Sequence, residues 1–184
     1  NKQADFCHLT KIYNILLLIA TILLFEKSRG QSVGDIKFDL YDVDDGLAGT
    51  WIGSMAQDRY GRLWIGTNEG LSSFDGHQFS SFTHAKNDST SLLSDYVQSL
   101  HADQNGQIWV GYSRGGISKY SDSCHCFKHY QRPSEQAAKM QFFSTYILDI
   151  ENDSLVWYSG MGKGLNIRNI HTGKELHFDL PCID

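Results

Sequence analysis

Proline is scarce in this chain, with 2 in 184 residues, and no cluster of basic residues occurs anywhere along it. The 17 glycines follow no short fixed period. Collagen-like and proline-rich low-complexity architectures are thereby excluded. Basic residues number 16 against 21 acidic, a net charge of −5. The chain lacks the positive footprint that holds phosphate backbones, and no nucleic-acid partner is expected. Helical periodicity is missing as well. No window repeats apolar residues at i, i+3 and i+4, which rules out a helical solenoid.

A hydrophobic run of membrane-spanning length is also lacking. The one long uncharged stretch, 12–25 (IYNILLLIATILLF), has 14 residues. A span needs about 20, whereas the core of a secretory signal needs about 7 to 15. Lys2 and Lys11 precede the stretch, and Ser28 and Gly30 supply small residues behind it. Residues 1–30 are therefore expected to be a signal-peptide helix cleaved before Gln31, or an uncleaved N-terminal anchor. Cleavage removes four basic and two acidic residues, which takes the charge from −5 to −7.

Cysteine is sparse: Cys7, Cys124, Cys126 and Cys182. Export would leave the last three in an oxidising compartment, an odd number. Cys124 and Cys126, two apart on a strand, would point to one face, an arrangement that suits a disulfide badly. Free thiols are the expectation. The string CHCFKH, with His125 and His129, matches no usual zinc spacing, and neither a metal nor a cofactor is expected.

What the chain does have is repetition. Segments beginning at Trp51, Tyr96 and Tyr146 share one pattern, and their tryptophans Trp64, Trp109 and Trp157 lie 45 and 48 residues apart. That is the length of a propeller blade. Each segment divides into four short strands. A first strand ends in a turn, Asp58-Arg-Tyr-Gly61 or Asp103-Gln-Asn-Gly106, replaced in the third segment by Asn152-Asp153-Ser154. An apolar-Trp-apolar strand follows, then a Gly-containing connection, a third strand and an aromatic-bearing fourth. The fold expected is all-β: a β-propeller with about three four-stranded antiparallel blades at 50–82, 95–130 and 145–180. An outer strand is expected over 38–47, leading into the first blade, and one helical turn around 135–139. Three blades are fewer than the roughly four to eight that close a ring. The chain is thus expected to be an N-terminal fragment of a larger propeller, prone to self-association, for instance as a homodimer, through its open edges.

The strings DRYGRLWIGTNEGLSSFDG and DQNGQIWVGYSRGGISKY resemble the two-component regulator propeller repeat: a strand, Asp-x-x-Gly, an apolar-Trp-apolar-Gly-Thr core, then Gly-Leu and an aromatic. Tyr112 replaces the Thr in the second repeat, and the third loses the Asp-x-x-Gly turn. The resemblance implies the periplasmic sensor region of a bacterial hybrid two-component histidine kinase, exported to the outer side of the inner membrane. It also implies a small-molecule ligand, with oligosaccharide sensing its usual role, and the remaining blades and downstream sensor modules as partners. No phosphoacceptor motif is present, so this segment is not expected to be an enzyme, whatever its parent. Two alternatives are a propeller enzyme such as a lyase and an exported protein-binding scaffold.

Trp64, Trp109 and Trp157 are expected in the core, and Asp58 and Asp103 to bond their own turns rather than to act as acids; no catalytic residue is assigned. Ligand contacts are sought where the repeats differ, because shared positions maintain the blade. The connections between second and third strands and the blade entrances fall on one face of a propeller. They offer Trp51, Asn68, Glu69, Tyr96, Tyr112, Arg114, Met161 and Lys163, aromatic and polar groups able to stack on and hydrogen-bond a sugar.

Overall fold

The computed structural model describes residues 37–131, 144–160 and 164–179. The expected signal segment 1–30, the helical turn at 135–139, and Cys7 and Cys182 lie outside the described residues. The chain divides into two units after Leu40. Of the first, only 37–40 is described, and it has no regular structure.

The second unit opens with a turn rather than the outer strand expected over 38–47. A 3-10 turn, Val43–Asp45, is capped by Asp42, whose carboxylate accepts from the Asp44 amide at 2.8 Å while Asp45 accepts from the Asp42 amide at 2.9 Å. Short acidic side chains here offer the backbone local partners in place of a ladder, and the strand does not form.

Three four-stranded antiparallel sheets follow, each a simple meander. The first comprises β1 (Ile52–Gln57), β2 (Leu63–Thr67), β3 (Leu71–Phe74) and β4 (Phe79–Phe82). The second comprises β5 (Val97–Ala102), β6 (Ile108–Tyr112), β7 (Ile117–Ser121) and β8 (Cys126–Gln131). The third comprises β9 (Thr145–Glu151), β10 (Leu155–Gly160), β11 (Leu165–Asn169) and β12 (Glu175–Phe178). The leading strands β1, β5 and β9 approach one another, as the inner strands of neighbouring propeller blades do.

One carboxylate organises each of the first two sheets. Asp58 Oδ1 accepts the amides of Tyr60 and Arg62, at 2.9 and 3.0 Å, which closes the β1–β2 turn. Its Oδ2 accepts the Trp64 indole Nε1 at 2.9 Å and Arg62 Nε at 2.6 Å. Asp103 repeats the arrangement: Oδ1 takes the amides of Asn105 and Gln107, and Oδ2 takes Trp109 Nε1 at 2.9 Å. Lys119 Nζ stands 3.2 Å from that oxygen. In the third sheet Glu151, one methylene longer, occupies the same place six residues before its tryptophan. Its bond to Trp157 Nε1 lengthens to 3.3 Å and is exposed.

The pinned indoles build the contacts between sheets. Trp64, with no exposed surface, packs 4.5 Å from the Tyr120 ring of the next sheet and 5.6 Å from Phe82, above Leu71, Val97, Val110 and Phe127. Trp109, equally buried, stacks 5.1 Å from Tyr130 and meets Ile147, Ile150, Val156 and Tyr158 of the third sheet. Backbones must come close for this. A Cβ on Gly66 would lie 2.6 Å from Val97, and one on Gly111 2.5 Å from the Thr145 carbonyl, so glycine is required at the equivalent place in both sheets. The Ser99 hydroxyl completes the second junction, donating to Thr145 O and accepting the Ile147 amide, each at 3.0 Å.

Burial by itself would raise the Asp58 and Asp103 carboxyls, but the bonds from the indoles, from Arg62 and from the turn amides outweigh it, and both are lowered from the ordinary 3.8. A carboxyl whose folded value is depressed stabilises the fold above its unfolded value and loses that contribution as pH falls through the folded one. The urea midpoint is therefore expected to be flat above about pH 5 and to fall steeply below about pH 4. A midpoint unchanged down to pH 2 would contradict this. Asp103→Ala strands a buried indole donor and is expected to cost about 1–3 kcal/mol in urea unfolding followed by tryptophan fluorescence. The exposed counterpart, Glu151→Gln, is expected to cost less than about 1 kcal/mol. Equal costs would count against the buried carboxylate as organiser.

Candidate ligand-binding face

The carboxylate turns occupy one end of the strands. At the other end lie the β2–β3 and β6–β7 connections and the entrances to β1, β5 and β9. The same backbone bond joins entrance and connection in two sheets: the Asn68 amide donates to Trp51 O at 3.2 Å, and the Ser113 amide to Tyr96 O at 3.1 Å. In the first sheet the Trp51 amide also donates to Asn68 Oδ1 at 3.3 Å. Glu69 is set beside them by its amide bond to Thr67 Oγ1 at 3.1 Å, with Asn68 Nδ2 3.5 Å from its carboxylate.

Trp51 is 54% exposed, and its ring meets Tyr96 edge-on at 5.6 Å. Trp51, Asn68, Glu69 and Tyr96 are thus brought together, and the exposed Arg114 follows Ser113 in the neighbouring connection. Met161 and Lys163 lie outside the described residues. Tyr112 has to be withdrawn from the site. It ends β6 instead of opening the loop, pairs with Val97 across the sheet, and is fully buried on the face it shares with Ile108 and Val110. Strand alternation decides its direction. Burial pushes its phenol up to about 12.

Two residues that the sequence reading passed over join the face. Gln98 sits at the bulge between Val97 and Ser99, donates to the Tyr146 hydroxyl at 3.0 Å, and accepts from Ser144 Oγ at 3.3 Å. Tyr146, partly exposed, is the second residue of β9, two positions further into its strand than the places of Trp51 and Tyr96 in the first two repeats. Aromatic rings at three successive blade entrances, with an amide and a carboxylate among them, provide apolar ring faces and hydrogen-bonding groups side by side, the pairing that sugar recognition requires.

Two clefts lie elsewhere. One, of about 320 Å³, is lined by Arg59, Gln107, Lys119, Asp122, Lys128 and Tyr130 beside the carboxylate turns. Arg59 and Arg62 both pair with Asp122 there, tying the first sheet to the second. The other, of about 330 Å³, lies between the β4–β5 connection and the β7–β8 turn. At that turn Cys124 and Cys126 form a disulfide, contrary to the free thiols expected. The expectation assumed that both lie on a strand. Cys124 instead lies in the turn, and His125 at φ 51° brings the two Cα atoms to 5.1 Å, within disulfide range. Among the described residues no three His, Cys, Asp or Glu side chains are grouped to hold a metal ion.

The model of the two component regulator propeller matches residues 46–69 and 91–114. Histidine kinase P4 of Formosa agariphila is 40% identical over 55 residues, 30% of this chain and 4% of that protein. The extracellular domain ascribed to a hybrid two component system of B. thetaiotaomicron is 25% identical, with a TM-score of 0.64 over 78% of this chain and 21% of that one. The chain thus spans a small part of either relative. Virginiamycin B lyase of Staphylococcus aureus, at 12% identity, a TM-score of 0.52 and coverage of 79% of this chain and 45% of that one, shares the fold alone. Two repeats of the two component regulator propeller are thus matched, over 46–69 and 91–114, with a third sheet of the same build beside them.

Proposed function

We propose that this propeller segment is an extracytoplasmic ligand-sensing module of a two-component signalling protein, and that the ligand is an oligosaccharide bound across the Trp51, Tyr96 and Tyr146 entrances. The observation that carries the reading is the grouping at one end of the strands of Trp51 and Tyr96, at the same register of two successive blades, with Tyr146 hydrogen-bonded to Gln98 beside them and Trp51 turned to solvent. Asn68, Glu69, Arg114 and Gln98 supply the hydrogen bonds that give a stacked sugar its orientation. The likeness to extracellular domains of signalling systems supports a position on the periplasmic side of the inner membrane, reached through the 1–30 signal or anchor. A histidine kinase parent, further blades, downstream sensor modules and a homodimeric state belong to the same reading.

Catalysis by this segment is not favoured. The acids most regular in the repeats, Asp58 and Asp103, have their oxygens occupied by indole, amide and cation partners at the opposite end of the strands. They have neither the freedom nor the position of a hydrolytic pair. Likeness to a lyase rests on fold, which does not fix function.

The test is titration of the protein with a panel of neutral and acidic oligosaccharides, read by tryptophan fluorescence and calorimetry. Trp64 and Trp109 are buried, so a ligand on this face is expected to alter the emission of Trp51. Trp51→Ala is expected to weaken binding by roughly 2- to 10-fold, the worth of one aromatic contact. Binding undiminished in that variant, or no saturable binding by any member of the panel, would overturn the reading.

A further inference from the structure

The CHC motif has no part in ligand sensing as described so far. The Cys124–Cys126 disulfide encloses a single residue, His125, at the tip of the β7–β8 hairpin. Cys124 and His125 are exposed and Cys126 is half-buried. The hairpin is already closed without the covalent link: Ser121 pairs with Cys126 and Tyr120 with Phe127 in the ladder, and the Tyr120 hydroxyl bonds His125 Nδ1 at 2.9 Å. A cross-link stabilises a fold chiefly by shortening the unfolded chain's excursions, an effect that grows with loop length and is smallest here. An exposed disulfide that the fold does not need is open to exchange with thiols.

Its surroundings give such exchange a consequence. The disulfide forms a wall of the 330 Å³ cleft opposite Thr83, Asp88, Thr90 and Ser91 of the β4–β5 connection. Phe127, next to Cys126, donates its amide to Thr90 O at 2.7 Å, and Thr90 is held in turn by its amide and hydroxyl bonds to Asp88 Oδ1. The connection runs on to Asp95, bonded to the His84 amide, and then to Tyr96 at the blade entrance. One hydrogen bond thus ties the disulfide hairpin to the segment that carries Tyr96.

We propose that Cys124–Cys126 is a thiol–disulfide exchange site for a dithiol reagent, and that opening it loosens the β4–β5 connection. One thiolate of the dithiol attacks Sγ of Cys124, the more exposed residue of the two. The S–S bond breaks, and its electron pair leaves on Cys126 Sγ, which takes a proton from water. The second thiolate of the dithiol then attacks its own sulfur in the mixed disulfide, and Cys124 departs as a thiolate and is protonated. Two electrons have moved: the dithiol ends as a disulfide and the chain carries two thiols.

The experiment treats the air-oxidised protein with dithiothreitol under native conditions, labels it with iodoacetamide for peptide mass spectrometry, and measures amide hydrogen exchange over 84–96. Expected are labelling of both Cys124 and Cys126 within minutes without denaturant and a several-fold faster exchange over 84–96, with far-UV circular dichroism unchanged. The double variant Cys124→Ser, Cys126→Ser is expected to show the faster exchange without reductant. Labelling before any reductant is added, labelling only in denaturant, or labelling with exchange over 84–96 unchanged would each overturn the proposal. The reduced native protein supplies the decisive comparison even where the double variant folds poorly.

Discussion

Beneath the β1–β2 and β5–β6 turns, a carboxylate accepts two backbone N–H groups through one oxygen and an indole N–H through the other. The first pair of bonds sets the turn, and the third sets the direction of the tryptophan six residues after the carboxylate. Because Trp64 and Trp109 cannot rotate away, their rings project into the seams between sheets, where Trp64 meets Tyr120 of the second sheet and Trp109 lies among Ile147, Ile150 and Val156 of the third. A cation completes each arrangement: Arg62 lies over the Trp64 ring at 5.4 Å, and Lys119 over Trp109 at 4.9 Å. Arg62 also reaches Asp122 of the second sheet, so the turn of one blade is fastened to the hairpin of the next. In the third sheet, Glu151 and the half-buried Trp157 hold the same relation in a looser, wetter form.

Rigidity at the turn end leaves the opposite end of the strands free to vary. The inner strands carry register shifts, at matching places between Ile52 and Ser54 and between Val97 and Ser99, and further along β9 opposite Trp157 and Tyr158. Bulges re-aim side chains next to binding sites. Here the shift at Gln98 delivers an amide to Tyr146 of the next sheet, linking neighbouring entrances in one surface. Packed seams support that surface from below, and the connections above it carry the residues that differ from repeat to repeat.

Much of the framework was legible in the sequence, because period-2 strands, Asp-x-x-Gly turns and tryptophans about one blade apart are local signals. Burial of Trp64 and Trp109 followed from their regular place. Tyr112 was misplaced because it was assigned to the connection between second and third strands, whereas alternation with Ile108 and Val110 carries it into the core. The Cys124–Cys126 link was missed because a strand was assumed where a left-handed His125 makes a turn. Over 38–47 an outer strand was expected, but Asp42 and Asp45 bond the backbone themselves. Gln98 and Tyr146 meet across 48 residues, and no local pattern announces such a bond.

The primacy of the carboxylate–indole bond is tested most directly by hydrogen exchange of the four indole N–H protons, followed by NMR. Trp64 and Trp109 are expected to exchange only on global unfolding, and Trp51 and Trp157 orders of magnitude faster. Exchange of all four at comparable rates would contradict the claim that buried aspartates pin these rings and, through them, the seams between blades.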